Sequence, residues 1–128
     1  MKILLFLSIV IAFVFEACNS SSTRNPIREF IPGTYVRFSQ HEFGSEWDTL
    51  TISIQNETAN EYRIVRLWRY NRILDGKSIE PEYKKQTSTA VYDKDAQQLK
   101  TVATGESYSF DTKQKLLFAG NTKYQKLK

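Results

Sequence analysis

The chain has 128 residues, a formal net charge of +4 and an aromatic content of 13%. That length is enough for one small domain with a modest core, and the sequence reads as one domain. A single cysteine excludes a disulfide-stapled scaffold, so packing alone must hold the core, with aromatic rings burying large areas each.

The N-terminal stretch is the first element. Lys2 supplies a positive charge, and residues 3–15 are apolar apart from Ser8. That order is a secretory signal, and the run falls short of the roughly 20 apolar residues that span a bilayer. Removing residues 1–17 takes away Lys2 and Glu16, one charge of each sign, so the remainder keeps its basic balance. Phe15-Glu16-Ala17-Cys18 resembles the lipobox of bacterial lipoproteins. Ala17 and Cys18 match it, Phe15 stands where an aliphatic residue is usual, and Glu16 is an uncommon second residue. The resemblance implies cleavage before Cys18, a diacylglyceryl group on its sulfur and a fatty acid such as palmitate on the new amine. A lone thiol in an exported protein has no disulfide partner, and acylation accounts for it. Two or three acyl chains, at about 0.8 kcal/mol per buried CH₂, would anchor the protein in a membrane. Without acylation, the segment would belong to a secreted protein or an uncleaved anchor, and Cys18 would be only a small residue near a cleavage site.

Asn19 follows the cysteine with no acidic cluster behind it. Within the resemblance this implies a Gram-negative envelope and an outer membrane face turned to the periplasm. Export argues against a nucleic-acid partner. Residues 18–30 read as the lipidated cysteine and a polar, flexible tether, and residues 31–128 as one domain.

Strands then follow in order. Gly33 to Gln40 is the first, with a polar loop from His41 to Glu46. Trp47 to Gln55 is the clearest alternation, with Leu50, Ile52 and Ile54 on one face, as in a half-buried antiparallel strand. Glu61 to Leu74 is ambiguous. Thr58-x-x-Glu61 fits a helical capping box, but its Tyr, Ile, Val and Trp content favours a long strand, with or without a bulge. As a strand it puts Tyr62, Ile64, Arg66, Trp68 and Tyr70 on one face. Asp75-Gly76 is a turn. Glu82 to Tyr92, Gln98 to Ala103, Ser107 to Asp111, Lys115 to Phe118 and Lys123 to Leu127 complete an all-β antiparallel meander of about eight strands. The opening Gly33-Thr34-Tyr35 and this strand order are similar to the lipocalin-like barrels of small bacterial lipoproteins. The resemblance implies a small closed barrel and carries no ligand residue across.

Candidate chemistry is sparse. His41 is the only histidine, and Glu42, Glu46 and Asp48 beside it read as a solvated loop rather than a metal site. Ser39 near His41 is adjacency rather than a triad, so no catalytic residue and no cofactor is assigned. Asp48, Glu61, Asp93 and Asp111 fall at strand ends, where solvated carboxylates are ordinary. Arg63, Arg66, Arg69 and Arg72 recur every third residue, which a strand divides between its two faces. Arg66 on the aromatic face would be paired internally, exposed, or free to meet an anionic ligand. The ligand set so suggested is Arg66, Trp68, Tyr62 and Tyr70. The lysine-rich end, Lys113 to Lys128, reads as a solvated surface that keeps edge strands from pairing. Asp48-Thr49-Leu50 is similar to an O-glycosylation triplet of some Gram-negative anaerobes, with Thr49 as acceptor. The whole points to a non-enzymatic, lipid-anchored binding protein for a small molecule, an envelope polymer or a protein partner. The alternative is an inhibitor, immunity or exclusion lipoprotein acting on another protein.

Overall fold

The computed structural model describes residues 25–128. Asn25 opens the folded body, and its side-chain carbonyl accepts the amides of Ile27 and Arg28. This caps α1 (Pro26–Phe30), with proline at the first helical position, where a missing N–H costs nothing. Residues 25–30, read in sequence as the end of a tether, are therefore part of the domain. Ile31 just beyond α1 is fully buried, and Ile27 and Phe30 pack against the core.

The strands are β1 (Gly33–His41), β2 (Gly44–Asn56), β3 (Glu61–Leu74), β4 (Lys77–Ser78), β5 (Glu82–Asp93), β6 (Gln98–Thr101), β7 (Ser107–Asp111), β8 (Leu116–Ala119) and β9 (Thr122–Lys126). All pairings are antiparallel. Leaving β4 aside, each strand pairs with the next in sequence, and β9 returns to β1. The result is a closed eight-stranded barrel with β4 as a short extra strand. Where all eight strands pair, closure removes the edges that an open sheet would expose.

The ambiguous stretch is the continuous strand β3, paired with β2 on one side and β5 on the other. Residue type prevails over the capping box because both neighbours satisfy its backbone and every second side chain turns inward, Tyr62 and Ile64 into the core. The bulge lies in β2, between Ile54 and Asn56. The loop expected from His41 to Glu46 is shorter: His41 pairs with Gly44, leaving only Glu42 and Phe43 as the hairpin turn. Gly44 is required there, since a Cβ at that position would lie 2.2 Å from the Asn71 carbonyl oxygen. Asp75 and Gly76 both have positive φ and join β3 to β4 in the two-residue turn that Asp-Gly favours.

Strand lengths are unequal. β2, β3 and β5 have 13, 14 and 12 residues, whereas β6 to β9 have four or five each. The β5–β6 register covers only Ala90 to Asp93, and the β1–β9 register only Tyr35 and Val36. The long strands β1, β2, β3 and β5 therefore rise beyond the short half as a four-stranded wall, on the order of 20 Å tall. One end of the barrel is closed and the other opens against this wall.

α1 plugs the closed end. The Tyr35 hydroxyl donates to the carbonyls of Ile31 at 2.8 Å and Phe30 at 3.0 Å, and the rings of Phe30, Tyr35 and Phe110 meet at about 6 Å. Lys126 is not part of a solvated lysine surface. Its ammonium donates to the Phe30 carbonyl and sits 4.0 Å over the Phe30 ring. Burial, with Lys115 nearby, pulls it below the usual lysine range. The core above the plug includes Leu50, Ile52, Tyr62, Ile64, Tyr92, Leu99 and Leu117.

Candidate functional site at the barrel mouth

Alternation along the long strands carries the inward face past the core and up the wall. In β2 the inward series Ile52, Leu50 continues to Asp48 and Glu46. In β3, Tyr62 and Ile64 continue to Arg66, Trp68 and Tyr70. In β5, Tyr92 and Ala90 continue to Ser88, Gln86 and Lys84. The composition of this face changes from apolar to charged and aromatic where the short strands stop. Above that level no opposite sheet covers the side chains, so charge is tolerated there.

Asp48 is the exception, a carboxylate with 0% exposure. It is not the solvated strand-end group that sequence suggests. The Arg66 guanidinium donates to it through Nε at 2.9 Å and through a terminal nitrogen at 2.6 Å. The Tyr124 hydroxyl donates at 2.7 Å from β9, on the far side of β1. A buried carboxylate is tolerable only with such partners. Hydrogen bonding to Asp48 holds Arg66 above the usual guanidinium range, against the opposing effect of burial. Burial, then the bond to Asp48, pushes Tyr124 up to about 12. Of the situations open to Arg66, the internal ion pair is the one found.

A second pair lies above. Arg37 and Glu46 meet at 2.8 Å, and the Trp68 indole donates to the other Glu46 oxygen at 3.3 Å. Trp68 stacks on Tyr70, with centroids 5.4 Å apart and planes 6° from parallel. His41, the last residue of β1, stacks on Tyr70 at 6.1 Å, and its Nδ1 accepts the Phe43 amide. His41 thus serves the wall's aromatic stack.

Lys84 is register partner of Trp68. Among the described residues no carboxylate lies within ion-pair reach of it. Arg66, Trp68, Lys84 and Gln86 line a cavity of about 200 Å³. Arg66 and Gln86 are shared with an adjoining cavity of about 390 Å³ between β5 and the segment from Thr101 to Glu106. There Tyr108 donates to Glu106 at 3.1 Å, and Thr101 and Thr104 share a hydrogen bond of 2.6 Å.

Arg66, Trp68 and Tyr70 of the expected ligand set are brought together, whereas Tyr62 is buried in the core toward the closed end. Asp48, Glu46, Lys84 and Gln86 are the mouth residues that the sequence reading did not include. Asp93 and Asp111 are turn carboxylates: Asp93 accepts the amides of Asp95 and Ala96, and Asp111 those of Lys113 and Gln114. Thr49 lies on the outer face of β2, half-buried between Val36 and Leu67. Cys18 lies outside the described residues.

Comparison of the chain with protein-family models, curated proteins and solved structures finds no match. Function must therefore be argued from the site itself.

Proposed function

We propose that this is a lipid-anchored protein of the Gram-negative envelope whose barrel mouth binds a small amphipathic anion without catalysing its conversion. The supporting observation is Lys84, a cation without a carboxylate in reach, beside the flat Trp68 ring and over a cavity. A ring or apolar segment stacks on Trp68, and its anionic group meets Lys84 and the Arg66 donors that Asp48 leaves free. Glu106 sits in the adjoining cavity, so the anionic group belongs on the Lys84 side. The charge role moves from Arg66, already neutralised by Asp48, to Lys84.

An anilinonaphthalene sulfonate, with rings and one anionic group, is the probe. Its fluorescence titration should weaken about tenfold in Lys84→Ala, the loss of one charge contact, and also in Trp68→Ala. Equal affinity in both variants and the wild type would refute the mouth as a site.

Lipid anchoring rests on the lipobox resemblance at Cys18. Cys18→Ala should abolish incorporation of labelled palmitate and move the protein from the membrane to the soluble fraction. Membrane retention of an unlabelled wild type would overturn the anchor. Asn25 lies at the closed end, opposite the mouth.

The alternative, a lipoprotein that blocks another protein, is favoured by the wall's crest. Phe43, Ile73, Leu74 and Ile79 are exposed there, and the Phe43 carbonyl accepts the Ile73 amide, joining the two hairpins. Exposed apolar clusters mark contact surfaces.

A further inference from the structure

The outer side of the wall carries a row of large side chains that neither the core nor the mouth uses. Phe38, Trp47, Arg69 and Tyr83 are direct cross-strand partners on β1, β2, β3 and β5. The row crosses three interstrand gaps, roughly 14 Å. Phe38 packs on Trp47 at 4.8 Å, and the Arg69 guanidinium lies over Trp47 at 5.2 Å and over Tyr83 at 5.9 Å. All three rings are exposed, Phe38 to 52%, Trp47 to 38% and Tyr83 to 73%. The row below it holds Thr49, Leu67 and Lys85, and the two rows frame a shallow cavity of about 390 Å³.

Charge around this row has one sign. The outward positions of the four strands, from Thr34, Thr51, Val65 and Thr87 upward to Gln40, Ser45 and Asn71, contain no carboxylate, while Arg69 and Lys85 lie among them and Arg63 just below. Among the described residues none of these three cations has an ion-pair partner. A second copy of the chain is a poor occupant, because face-to-face pairing would oppose like charges. An anionic bilayer fits less well, because Glu42, Asp75, Glu80 and Glu82 ring the crest above the row. The complement is a partner with flat, weakly polar faces and regularly spaced anionic groups.

We propose that this outer row binds an acidic polysaccharide, a chain of carboxylated sugar rings. The C–H faces of the rings stack on Tyr83, Trp47 and Phe38, and the carboxylates take the free N–H donors of Arg69 and the Lys85 ammonium. Leu67 forms the apolar floor. The row lies on the outer side of the wall, and Trp68 and Lys84 of the mouth also border its cavity, so Arg69 and Tyr83, which do not line the mouth cavity, are the positions that test this site alone.

Calorimetric titration of the full chain with polygalacturonate, dextran and phosphatidylglycerol vesicles tests this. Polygalacturonate should bind and dextran should not. Arg69→Ala and Tyr83→Ala should each weaken binding about tenfold, the loss expected for one cation–π or charge contact. Both side chains are exposed, and an unchanged circular dichroism spectrum would show that the variants fold. High salt should weaken the interaction. Equal binding of dextran, or polygalacturonate binding untouched by both substitutions, would overturn the proposal. So would Arg69-dependent binding to the vesicles with none to polygalacturonate.

Discussion

Arg66→Ala should lower the stability of the domain by about 3 kcal/mol, read as a shift in the urea midpoint without a change in slope. The substitution leaves Asp48, with no exposure, holding only the Tyr124 hydroxyl as a side-chain hydrogen-bond donor. Removing one partner of a buried pair costs about 3–5 kcal/mol. The lower end applies because the Arg66 side chain is itself 38% exposed, so water enters as the guanidinium leaves. Asp48→Ala should cost less. Arg66 then turns toward solvent, and the principal loss is the hydrogen bond of Tyr124. The double variant should recover much of the loss seen in Arg66→Ala, because no carboxylate remains stranded. A change below about 0.5 kcal/mol in Arg66→Ala would mean that Asp48 is solvated in solution. Additive effects in the double variant would mean that the two side chains are not coupled.

Much of this pair was legible in the strand period. Leu50, Ile52 and Ile54 identify the inward face of β2, and stepping back by two reaches Asp48. The same step along β3 goes from Ile64 to Arg66. Two opposite charges on inward faces of adjacent strands are a pair waiting for a register, and the register sets Leu50 opposite Arg66. Sequence misplaced Asp48 because it stands near His41 and Glu46, which read as a loop. The tight turn at Glu42 and Phe43 instead carries β2 upward past Asp48, since Gly44 lets the backbone approach β3 closely. Lys84 follows the parity of Ala90 and Tyr92, but the polar composition of residues 82–88 hides that relation. Tyr62 shares a strand face with Trp68 and Tyr70, and a face shows only which way a side chain points. Its depth depends on where the short strands stop, which is a property of the whole barrel. The outer row depended on register still more. Phe38, Trp47, Arg69 and Tyr83 are spread over 46 positions of the chain and become neighbours only when four strands pair.

Alkaline pH should unfold the domain in one cooperative step, before its core phenols ionise in place. Burial holds Tyr35 and Tyr108 well above the ordinary phenol range, with Glu106 adding to the effect at Tyr108, and it pushes Tyr124 up to about 12, with Asp48 adding to it. Burial raises Tyr62 as well, against the opposing contact with Arg28. In the unfolded chain the same groups ionise near pH 10. Their folded values are the higher ones, so their contribution to stability is intact below pH 10 and falls as pH rises from there toward 12. Each phenol that keeps its proton only in the fold removes about 1.4 kcal/mol per pH unit. Tyr35, Tyr108 and Tyr124 together remove about 4 kcal/mol per unit, enough to exhaust an ordinary domain stability of about 5–15 kcal/mol within a few units. Tyrosinate absorbance should therefore rise in a step that coincides with loss of the near-ultraviolet circular dichroism. Tyr124→Phe should make stability fall less steeply above pH 10, by about a third, since one of the three late phenols is gone. Smooth ionisation of every tyrosine near pH 10 with the sheet signal intact would show that these hydroxyls are reached by water, and that the barrel interior is open where the structure has it closed.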